Sequence, residues 1–121
     1  MPIGGGTNFG RKGDALTKLK NGLHRISGSN DVVLLNSGRA AIRVALQVFR
    51  KKEPEKKVIL VPSYVCWAVV EAITDEGLTP RYVDVDENLN MSLDILNDRD
   101  MVDVLAIIAV HNYGFPLDME V

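Results

Sequence analysis

One cysteine, Cys66, stands alone among 121 residues. It cannot close a disulfide within the chain, so a reducing, intracellular setting is expected. No apolar run approaches the length that a bilayer crossing needs, and the amino terminus lacks the charged-then-apolar pattern of a secretory signal. A cytoplasmic protein with no membrane partner is the expectation. An excess of one charge is missing too: 14 basic and 16 acidic residues leave a formal net charge of −2. Lys51, Lys52, Lys56 and Lys57 cluster, but Glu53 and Glu55 interleave with them, as on a solvated helix-end loop. Such a balance does not suggest a nucleic-acid surface. Biased sequence is confined to the start, where five glycines fall within residues 1–13.

What is present is ordinary globular material, 46% hydrophobic and 25% charged, enough for one modest domain. Residues 1–30 read as a flexible arm followed by a short helix, capped by Asp14, carrying Leu16, Leu19 and Leu23 and ending near Gly22. From residue 31 strand and helix alternate. The pattern predicts a short buried strand over 32–35 and a helix over 39–51 with Ala41, Ile42, Ala45, Leu46 and Phe49 on one face and Arg43, Gln47 and Arg50 pointing elsewhere. A strand over 58–61 follows, then Pro62 and Ser63 as turn and cap for a helix over 64–75, closed by Gly77. A strand over 80–85, a short helix capped by Ser92 and running through Leu96, and the fully apolar "VLAIIAV" at 104–110, read as a strand covered on both faces, complete the series. This order predicts a three-layer α/β/α fold on a mainly parallel sheet, with helices on both faces. The chain stops where "PLDMEV" would open another helix, so it reads as cut short.

Four places carry candidate chemistry. Ser37-Gly38-Arg39-Ala40 joins a strand directly to a helix, and the unpaired amides at that helix end, with its dipole, can bind a phosphate. Taken alone, without GxGxxG or GxxxxGK[ST] spacing, the same turn reads better as tight packing with Ser37 as a cap. Tyr64, Cys66 and Trp67 fall at the start of the next helix, at the sheet edge where α/β folds bind ligands. An aromatic there can stack on a planar ring or simply pack. Asp84 and Asp86 read as loop caps rather than metal ligands, and Cys66 has no base beside it in sequence. His111 closes the last strand and suits either proton transfer or a backbone hydrogen bond.

Read in order, "NSGRAAIRVAL", "VILVPSYVCWAVVEAI", "EGLTPRYVDVDENLNMSLDIL" and "IIAVHNYGFPLDME" resemble successive segments of the DegT/DnrJ/EryC1/StrS group of pyridoxal-phosphate (PLP) aminotransferases. The resemblance covers roughly residues 32–121 and rests on the order and spacing of the four segments, none of which is specific alone. It implies the large domain of a type I aminotransferase fold, present here over 31–121 as its N-terminal part. It also implies a homodimer or larger homo-oligomer, with PLP as cofactor and a nucleotide-linked keto-sugar aminated at the expense of glutamate or glutamine. By the same resemblance Ser37, Gly38, Arg39 and Ala40 hold the cofactor phosphate, with Arg39 where the family has threonine. Cys66 falls where the family stacks an aromatic on the cofactor ring, with Trp67 adjacent. His111, Tyr113 and Gly114 match a His-x-Tyr-Gly segment that shapes the substrate pocket. The family's Schiff-base lysine and the acidic partner of the pyridine nitrogen have no counterpart among these residues, so no catalytic residue is assigned and the chain alone is expected not to transaminate. Two other readings stand beside this one: a stand-alone α/β binding or regulatory module, and a relative that uses the fold for PLP-dependent sugar dehydration.

Overall fold

A computed structural model describes residues 12–29, 31–92 and 96–117. The chain forms two compact units, Met1–Leu35 and Asn36–Val121.

In the first unit, α1 (Lys12–Ser27) runs straight through Gly22, past the end that its sequence suggests. One interior glycine costs a helix only about 1 kcal/mol against alanine, too little to stop it. The terminator is Gly28, which takes a left-handed φ of 67° and returns its N–H to the His24 carbonyl at 3.0 Å. The strand expected over 32–35 does not form. A strand exists only beside a partner, and no described residue pairs with this segment; Val33 is 74% exposed.

The second unit is built on a parallel sheet of β1 (Val58–Pro62), β2 (Thr79–Val83) and β3 (Val104–Ile107) in the order β2-β1-β3. β1 is the centre and is buried at every position, which its unbroken apolar sequence anticipates. β2 is an edge and can therefore carry Pro80. β3 stops three residues short of the expected strand, and the cause lies on its neighbour. Ile108 N–H still reaches the Leu60 carbonyl at 2.9 Å, but the next rung would need an N–H from Pro62, which has none. Nor is β3 covered on both faces, since Ile107 is exposed.

Alternation along β1 splits the core in two. Ile59 and Val61 face α2 (Gly38–Lys52) and α3 (Trp67–Asp75), packing with Leu46, Ile73 and Leu78. Val58 and Leu60 face the other way, where Val83, Met91, Val104 and Leu96 close the second cluster. The helices expected on both faces are thus seen on one; among the described residues the opposite face is closed by the chain after β2, and residues 93–95 of the short helix expected after Ser92 lie outside the description. A single turn, α4 (Asp98–Met101), closed by a capping box between Asn97 and Asp100, leads into β3.

On α2 only Leu46 is fully buried, with Ile42 packed beside it, while Ala41, Ala45 and Phe49 are exposed. The polar residues lie off that face as their pattern suggests, and though Gln47 and Arg50 stay exposed, all three converge on Glu76. Arg43 Nε donates to the Glu76 carboxylate at 2.7 Å, Gln47 donates to both its oxygens at 3.0 Å, and Arg50 donates to the Glu76 carbonyl. α3 ends on a Schellman turn: Gly77 N–H to Thr74 at 2.9 Å and Leu78 N–H to Ile73 at 3.2 Å, with Gly77 at φ 68°.

Candidate active site

Parallel strands place all their carboxyl ends at one edge, and the segments that leave this edge carry most of the candidate residues. Pro62 is the last residue of β1, and Ser63 donates its N–H to the Val83 carbonyl at 2.8 Å. That bond holds the chain along the edge, so α3 begins at Trp67 rather than at 64. Ser63 consequently does not cap it. The cap position belongs to Cys66, extended at φ −61° and ψ 135°, whose side chain makes no capping bond. Cys66 is exposed and Trp67 is 72% exposed.

α2 and α3 lie parallel. Arg39 is ion-paired with Glu71, and one turn further along both helices Arg43 meets Asp75 at 3.3 Å. Their amino ends therefore point the same way, toward the carboxyl edge. Ser37 builds the amino end of α2: its backbone is extended, its Oγ accepts the Ala40 N–H at 3.2 Å, and its carbonyl accepts the Ala41 N–H at 3.1 Å. The N–H groups of Gly38 and Arg39 have no carbonyl a turn earlier to bond to, and the helix dipole makes this end positive. A Cβ on Gly38 would meet nothing within 4 Å, so the backbone there is open to a bulky group. Arg39 gives its charge to Glu71 instead of holding it over the turn.

After β3 the chain forms one 3₁₀ turn, Asn112–Gly114. His111 Nδ1 accepts the Leu117 N–H at 2.9 Å, which leaves the ring proton on Nε2. Tyr113 reaches across to Tyr64, hydroxyl to hydroxyl at 2.7 Å. Asn112 Nδ2 donates to the carbonyls of Leu89 at 3.1 Å and Tyr64 at 3.4 Å, tying together the segments that follow all three strands. In the segment after β2, Asp86 Oδ1 accepts the N–H groups of Asn88 and Asn90 at 2.8 and 2.9 Å, the loop-capping role its sequence suggests. Among the described residues no cluster of His, Cys, Asp and Glu has the makings of a metal site, and no helix is long and apolar enough to cross a membrane.

The sequence profile of the DegT/DnrJ/EryC1/StrS aminotransferase family matches residues 6–121. The chain belongs to this family. It is 39% identical over 94 residues to the protein MosB of Rhizobium meliloti, a match covering 77% of this chain and 18% of MosB. It is 31% identical over 110 residues to a GDP-perosamine synthase of Escherichia coli, covering 90% of this chain and 30% of that enzyme. A UDP-N-acetyl-3-dehydro-alpha-D-glucosamine 3-aminotransferase of Acidithiobacillus ferrooxidans is 33% identical over 112 residues, covering 92% and 29%. The chain thus spans less than a third of the length of these curated relatives.

The family's aminotransferases use PLP, and the α2 turn has the donor set its phosphate needs: two unpartnered amides, a serine hydroxyl and a positive helix end, beside a glycine with open space above it. The residue at this edge that its sequence does not single out is Asn112, which ties the segments together from between His111 and Tyr113.

Proposed function

We propose that this family member contributes the phosphate-binding turn and one wall of the ring pocket to a PLP-dependent aminotransferase acting on a nucleotide-linked keto-sugar, with glutamate or glutamine as donor. The carrying observation is the pair of free amides at Gly38 and Arg39, held open by the Ser37 cap at the same edge as Cys66 and Trp67. PLP, when bound, supplies the electron sink through which an amino group passes to the keto carbon.

This chain's residues have narrower tasks. Gly38 and Arg39 amides and the Ser37 hydroxyl fix the phosphate and with it the depth of the ring. Trp67 or Cys66 bounds one ring face, an indole by stacking and a thiol by a soft contact. His111, with its proton fixed on Nε2 by the Leu117 bond, presents a hydrogen-bond donor near the pocket. The nucleotide sugars in the names of two relatives, GDP-perosamine as the product of one and a UDP-linked 3-dehydro-glucosamine as the sugar acted on by the other, support the choice of substrate class. A second copy of the chain completing the pocket fits the family's oligomeric habit.

No lysine here is expected to hold the cofactor covalently. Lys51 and Lys52 end α2, and Lys56 and Lys57 precede β1, which puts all four at the opposite edge of the sheet. Borohydride reduction of the chain mixed with PLP should leave no stoichiometric lysine adduct on mass analysis. An adduct at one defined lysine overturns this division of labour.

A further inference from the structure

Four of the seven aromatic residues, Tyr64, Trp67, Tyr113 and Phe115, are exposed in the segments that follow β1 and β3. Two of them are joined. The Tyr64 and Tyr113 rings stand 6.3 Å apart and tilted by 41°, with their hydroxyls in contact and the two residues 48% and 76% exposed. A phenol has one proton, so this contact uses one O–H and leaves the other free to point outward. Tyr113 also takes a left-handed backbone (φ 51°, ψ 22°), which is costly for a bulky L-residue, and Asn112 anchors the turn through its two carbonyl partners. Burial does not explain this geometry, because Tyr113 remains open to solvent.

We infer that the Tyr64–Tyr113 pair is a docking platform for the glycosyl ring of the substrate. The C–H face of a sugar lies against an exposed phenol ring, and a sugar oxygen accepts the free O–H. A purely apolar ligand would leave that O–H unused. A phosphate is disfavoured here because Asp84, Asp86 and Glu87 follow β2 at the same edge. Tyr64 and Tyr113 thereby become specificity residues, and Asn112 a positioning residue that sets the pair. The choice of ligand rests on the sugar-aminotransferase reading.

The test uses the 121-residue chain, with UDP-N-acetylglucosamine and UDP titrated separately by calorimetry against the wild type, Tyr64→Phe and Tyr113→Phe. Both tyrosines are exposed enough that loss of a hydroxyl leaves the fold intact, which circular dichroism checks. The wild type should favour the sugar nucleotide over UDP, and the variant that removes the free O–H should lower that preference about five- to tenfold, the effect of one hydrogen bond. UDP affinity should not move. Equal binding of the two ligands by the wild type, or a preference untouched by both variants, overturns the platform. PLP titrated in parallel separates the two readings: absent PLP binding with the glycosyl preference intact removes the cofactor reading and leaves the platform standing.

Discussion

Glu76 is the only charged residue buried among those described, and it is 7% exposed. Its carboxylate is tolerable there because Arg43 and Gln47 donate to it and Arg50 occupies its carbonyl. The Arg43 hydrogen bond, reinforced by Gln47, holds the acid below the usual carboxylate range. A group with a depressed folded value stabilises the fold fully above its unfolded value, about 4.3 for glutamate, and loses that contribution as pH falls through the folded value. The unfolding midpoint should therefore be flat near neutrality and drop below about pH 4. Glu76→Gln should lower the midpoint at pH 7 and make the acid drop shallower, as read by thermal denaturation across pH. An acid drop identical in the variant would show that other carboxylates carry it.

At the scale of elements, α2 is attached to the sheet by little apolar area. Leu46 is its one fully buried side chain, and it joins α2 to Ile59, Val61 and Ile73. Leu46→Ala should cost about 2–5 kcal/mol in denaturant unfolding, the range for a buried leucine that leaves a cavity. A cost below about 1 kcal/mol would mean that the Glu76 cluster, not this leucine, fastens the helix. Much of this layer was legible in the chain. The apolar run over 58–61 announces a strand, though not that it is the central one, and Gly77 announces a helix stop because the turn needs a left-handed residue. Other features depend on a second segment that local sequence does not reveal. Residues 32–35 are apolar enough for a strand but have no described partner, and β3 ends early because of a proline on β1. Arg43, Gln47 and Arg50 read only as residues off the apolar face, and their shared partner Glu76, some thirty residues later, has no local signal. The same holds at the site. Ser37 as a helix cap is visible in its own tetrad, whereas the contact of Tyr64 with Tyr113 spans 49 residues and has no local signature.

At the scale of the whole second unit, the parallel sheet and the parallel pair of helices gather the carboxyl ends of β1, β2 and β3 and the amino ends of α2 and α3 at a single edge. Two duties are proposed to divide that edge: an anion at the α2 turn, and a neutral ring at the tyrosine pair. The cofactor reading depends on the first. Its most direct test compares PLP with pyridoxal, which has the same ring but no phosphate, by calorimetric titration of the wild type and of Gly38→Ala. The alanine Cβ meets nothing in the fold, and alanine favours helix by up to about 1 kcal/mol, so the variant should melt no lower than the wild type. The predicted result is tighter binding of PLP than of pyridoxal, with that gap narrowed by Gly38→Ala because the methyl group crowds the anion. Equal affinity for the two compounds, or a gap that the alanine leaves unchanged, would contradict the account.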